Sequence, residues 1–189
     1  TSLNKELHFL EEFDNFSDNY NWTFGDSEEP IKYFGINNAS SEEMNKNIEV
    51  MFFNSKDENN TESDDFAIKL KTQEGDEIIL YRTNENKNFD EYYNDIQEKA
   101  NTYTGSKEFL KEDELRIPYV RVNGMIAYNE LYNKTIKDTI FYFTDVVQNV
   151  NFYLNEKGCN LSSQATLVAE IMGVSNEPRY CYFDDQFII

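Results

Sequence analysis

The chain has 189 residues, a formal charge of −19, and is 39% hydrophobic and 15% aromatic. That is enough apolar side chain for one domain with a real core, so a wholly disordered chain is excluded despite a mean hydropathy of −0.73. A surface with a pI near 4.3 repels phosphate, which argues against nucleic acid and anionic membrane as partners, and no apolar run reaches the roughly 20 residues of a membrane helix.

In chain order, Leu3, Leu7, Leu10 and Phe13 recur at helical spacing behind Ser2 as N-cap, which predicts an amphipathic helix over residues 3–14. EVMFF (49–53) and FAIKL (66–70) read as strands separated by the polar run 54–65. A Gly75–Asp76 turn leads into EIILY (77–81), so 66–81 is expected to form a hairpin. Phe89, Tyr92, Tyr93 and Ile96 predict a helix over 89–100. LRIPYVRV (115–122) reads as a strand pair, or one bent strand, around Pro118. A helix is expected near 127–135. IFYFTDVVQNVNFYL (140–154) is the most strand-like stretch, and YCYFDDQFII (180–189) ends as a buried strand would. No repeat and no Pro- or Gly-rich linker divides the chain. The expected fold class is α+β, one domain of mostly antiparallel β-sheets with a few helices.

Chemistry-bearing motifs are scarce. The single histidine, His8, lies between Leu7 and Phe9 and reads as a surface or boundary residue, not a catalytic base. Adjacent carboxylates (Glu11–Glu12, Asp64–Asp65, Asp184–Asp185) arise by composition among 36 acidic residues. Asp57, Asn59, Thr61, Ser63 and Asp65 alternate as in a calcium loop, but Glu62 and Ile68 stand where that loop needs glycine and glutamate. There is no phosphate-binding glycine motif and no Cys/His cluster, so no enzyme, metal or cofactor is expected. Cys159 and Cys181 permit at most one disulfide. Sequons at Asn15, Asn21, Asn38, Asn59, Asn133 and Asn160 hint at secretion, and an opening at Thr1 rather than Met is that of a mature or trimmed form.

The last third carries a family resemblance. Asp145 to Gly158, ending Asn155-Glu156-Lys157-Gly158, resembles the serpin strand that runs into the reactive loop. Asp184-Asp185-Gln186-Phe187-Ile188-Ile189 resembles that family's closing core strand. Leu115-Arg116-Ile117-Pro118 resembles its Leu-Pro-Lys-Phe strand, and Trp22 stands roughly where its central tryptophan would. The resemblance covers about 22–189, the C-terminal half of a serpin, and leaves 1–21 as an N-terminal helix outside it. It implies a loop hinge at Glu156, Gly158 and Cys159, a bait bond at Met172–Gly173, a serine protease or other protein partner, and a secreted or extracellular setting.

Residues 159–170 alternate small or apolar with mostly polar side chains, so the loop is competent to enter a sheet; Leu161, Ala165, Val168 and Met172 equally fit a helical stripe. In the serpin layout residues 159–178 are exposed, and Cys159 and Cys181 are too far apart to bridge. Several departures imply a degenerate inhibitor. Leu161 and Gln164 are bulky for insertion, Cys159 replaces the hinge Thr/Ser, Gln148 a histidine, and Asp185-Gln186 the closing His-Pro. With about 20 residues ahead of Trp22, the receiving sheet would lack strands flanking an inserted loop on one side. The expected function is a serpin-like protein that offers a loop to a serine protease. The alternative is a secreted or surface binding module that uses its acidic face.

Overall fold

The computed structural model describes residues 5–24, 26–54, 65–127, 129–135, 147–161 and 178–189. In chain order the elements begin with β1 (Lys5–His8), β2 (Asp14–Asn15), β3 (Tyr20–Phe24), β4 (Ser27–Ile31) and β5 (Tyr33–Ile36). A 3₁₀ helix (Glu42–Asn47) precedes β6 (Ile48–Asn54), β7 (Asp65–Lys71), β8 (Glu77–Arg82) and helix α1 (Phe89–Thr102). Then follow β9 (Glu114–Pro118), β10 (Val120–Ala127), a 3₁₀ turn (Asn129–Leu131), β11 (Val147–Asn155), β12 (Gly158–Leu161), β13 (Tyr180–Tyr182) and β14 (Phe187–Ile188). The described residues are thus mostly β, with α1 as the α-helix among them.

Three four-stranded sheets have the orders β1-β12-β11-β10, β13-β9-β5-β2 and β14-β8-β7-β6, and β3 and β4 form a separate hairpin. All pairings are antiparallel except β13 with β9. The 66–81 hairpin forms as its alternation predicts, with Ile68 opposite Leu80. Both faces of β7 are covered: Phe66, Ile68 and Leu70 enter the main core, while Ala67 joins Met51, Phe52, Tyr81 and Ile96 beneath α1. Lys69 on that second face is buried and lies between Glu49 (3.5 Å) and Glu77 (3.4 Å).

Helix α1 starts at a capping box between Asn88 and Glu91 and buries Ile96, with Tyr92, Ala100 and Tyr103 packed alongside. Phe89 and Tyr93, also read into the apolar stripe, are exposed. At Pro118 the chain leaves one sheet and enters another: Pro118 still faces Tyr33 of β5, whereas Val120 opens β10 against Leu154. Pro118 suits that junction because it has no N–H to give to a ladder.

Two expectations are corrected. The helix over 3–14 is absent, since residues 5–8 are strand β1 and 14–15 are β2. Leu7 and Phe9 are buried while His8 and Leu10 are exposed, which is a period of two and not 3.6. The helix near 127–135 is also not formed: β10 runs through Ala127 and only a 3₁₀ turn follows among the described residues. The strand expected over 140–154 is seen from Val147, and 140–146 lie outside the described residues, as does the calcium-loop-like run 57–64.

Candidate functional site, the hinge hairpin and its clamp

Asn155 and Gly158 pair across a two-residue turn made by Glu156 and Lys157, so β11 folds directly back into β12. The Asn155 side-chain oxygen accepts from the N–H groups of Lys157 (3.0 Å) and Gly158 (3.1 Å) and so shapes the turn. The N-terminal segment holds the turn from the other side: Phe9 N–H donates to the Lys157 carbonyl and Phe13 N–H to that of Glu156, both at 2.9 Å. The Glu156 carboxylate accepts from the Tyr119 hydroxyl (2.9 Å), which also contacts Asn15. Burial and the Glu156 charge push the Tyr119 hydroxyl pKa up. This turn is therefore tied to the N-terminal segment and to the β9–β10 junction.

Strand β12 is not an edge. It pairs with β11 on one side and with β1 on the other, in register from His8↔Gly158 to Lys5↔Leu161. Cys159 is buried in the main core, against the expectation that exposure begins there. Burial, with the nearby carboxylates of Glu74 and Asp76, pushes its thiol up to about 11, so it is a protonated packing group and not a nucleophile. No disulfide joins Cys159 to Cys181. Met172 and Gly173 lie outside the described residues.

At Arg179 the chain is clamped by a contact that no short motif announces. Arg179 is buried and bonds Asp113 through Nε (3.1 Å) and Nη2 (2.6 Å), while its N–H donates to the same carboxylate (2.8 Å). Its remaining donors reach the carbonyls of Ser106 and Glu108. Strand β13 then lies parallel to β9, with Cys181 opposite Leu115. The Arg116 guanidinium stacks between the rings of Tyr20 (3.8 Å) and Tyr182 (3.9 Å). In the closing strand, Asp184 pairs with Arg82 (2.9 Å) and Phe187 meets Trp22 edge-on (5.6 Å). His8 is a half-exposed partner of Glu74 (2.7 Å), whose hydrogen bond raises its pKa.

No protein-family model matches the sequence, and no curated protein matches it. The structure is similar to that of a highly specific serpin from the insect Tenebrio molitor, with a TM-score of 0.55 and 8% sequence identity. The match covers 96% of this chain and 48% of that serpin. The fold of this chain is serpin-like, and it spans about half the length of that protein.

Proposed function

We propose that this chain is a serpin-like binding protein that offers the segment following Leu161 to a serine protease without trapping it. The observation that carries this is the place of β12, already a central strand between β1 and β11. Trapping of the serpin kind requires a loop that stays out of its sheet until it is cut, because its entry supplies the driving force. Here Gly158, Cys159 and Asn160 are paired on both edges, and Leu161 on one, before any cut. That part of the driving force is spent, and the bulky Gln164 hinders further entry. One expectation changes with this: the flanking strand thought to be missing on one side is supplied, over four residues, by β1.

An extracellular setting belongs to the same reading. Asn15, Asn21, Asn38, Asn133 and Asn160 are all exposed, as glycan acceptors must be. N-glycosidase treatment of the native protein should lower its mass. For the main proposal, the protein is incubated with a panel of serine proteases and run under denaturing conditions. Cleavage within 162–177 with no SDS-stable complex is the expected result. A stable complex would show that trapping survives, and a panel that leaves 162–177 uncut would remove the protease from the reading. In that second case the charge of −19 favours a module that binds a basic partner, seen as salt-sensitive capture.

A further inference from the structure

The β3–β4 hairpin, the β9–β10 junction and the C-terminal strand enclose a cleft of about 700 Å³, within the 300–1,000 Å³ range typical of small-molecule sites. Its apolar wall includes Trp22, Ile31, Pro118 and Phe187. Trp22 is half-buried and stands edge-on to Phe187, so the cleft offers aromatic surface that neither ring covers completely.

Three charged side chains line the same cleft: Glu29, Asp185 and Arg121. Among the described residues none of the three has an ion-pair partner, and Arg121 reaches neither carboxylate within 4 Å. Asp184, next in sequence to Asp185, is by contrast already neutralised by Arg82. Two unpaired carboxylates beside aromatic rings outweigh one guanidinium in a chain that carries −19 overall. The negative faces of aromatic rings also attract cations and not anions.

We propose that this cleft binds a small organic cation, an ammonium group on an apolar body. The ammonium lies between Glu29 and Asp185, and the body packs on Trp22, Ile31 and Phe187. This site shares Tyr119 with the tie to Glu156, but ligand binding in it does not depend on any protease.

Trp22 is the one tryptophan in the chain, so its emission reports the cleft directly. The full chain is titrated with 2-phenylethylammonium, with neutral 2-phenylethanol and with anionic 3-phenylpropionate, and calorimetry supplies a second readout. Saturable binding of the cation, about tenfold tighter than either analogue, is the expected result. Glu29→Gln combined with Asp185→Asn should weaken it about tenfold, whereas Arg121→Gln should leave it unchanged or tighter. Circular dichroism checks that each variant is folded. Equal binding of the alcohol, tighter binding of the anion, no saturable signal, or full binding by the folded double variant would each overturn the proposal. Loss of binding in a folded Arg121→Gln variant would overturn it too.

Discussion

A β-carbon at position 158 would stand 1.9 Å from the Leu7 carbonyl oxygen, and φ there is +154°. The glycine is needed because β1 lies against β12 at backbone distance, and Gly35 meets Leu115 of β9 in the same way. Gly158→Ala should therefore cost at least about 1–3 kcal/mol in a urea melt, from the backbone conformation before any displacement of β1. Gly124→Ala is the control: nothing lies within 4 Å of its β-carbon position, and stability should change little. Arg179→Ala should cost about 3–5 kcal/mol, since it strands the buried Asp113 carboxylate without its cation. A pH effect follows from burial of acids that prefer to stay neutral. The Cys159 thiol rises from 9.0 to about 11 and the Tyr81 hydroxyl from 10.0 to about 12. In the unfolded chain these groups lose their protons first, so their contribution is complete below pH 9 and shrinks as pH climbs through 11 to 12. Denaturation midpoints measured from pH 8 to 11 should fall; a flat profile would contradict the burial of both groups.

At the level of elements, what could be read in the sequence was what local pattern decides. Strands β6, β7 and β8 follow from EVMFF, FAIKL and EIILY, with a Gly-Asp turn between the last two, and α1 from the spacing of Phe89, Tyr92, Tyr93 and Ile96. The N-terminal segment is the opposite case. Leu3, Leu7, Leu10 and Phe13 fit a helical stripe, yet Leu7 and Phe9 face the core and Leu10 does not. The edge of β12, about 150 residues away in sequence, sets that choice by pairing with Lys5–His8. Strands β3 and β4 passed unread because SEEPI is exposed and polar, without an alternating apolar face. β5 left a better clue: Tyr33, Phe34 and Ile36 form a short apolar run, and all of YFGI is buried. Pairing on both sides makes a further expectation. In hydrogen exchange, a peptide covering Gly158–Leu161 should be protected to a degree comparable with the C-terminal half of β11, because both lie inside one sheet. Exchange as fast as in an exposed loop would mean that β12 is not seated between β1 and β11.

For the whole molecule, the closing strand at Phe187–Ile188 was legible in a run of six residues, and the turn at Glu156–Lys157 lies within a run read only as a family resemblance. The devices that hold them were not legible. Tyr119 meets Glu156 across 37 residues and Arg179 meets Asp113 across 66, so only folding brings the partners together. Those ties fix both ends of the stretch 162–177, and they bear on what a cut within it can do. In a chain of this size each kcal/mol of added stability raises Tm by roughly 2–4 °C, so a rise of ~20 °C needs about 5–10 kcal/mol of new structure. Strand β12 cannot supply it, since its four residues are paired already and contribute equally before and after the cut. New pairing would have to begin beyond Leu161, where Gln164 is bulky for the small-residue run of a fast-inserting loop. Scanning calorimetry on the intact protein and on protein nicked once within 162–177 should therefore give Tm values within a few degrees of each other. A rise of tens of degrees would show that the stretch continues β12 deep into the sheet, and it would restore trapping as the function.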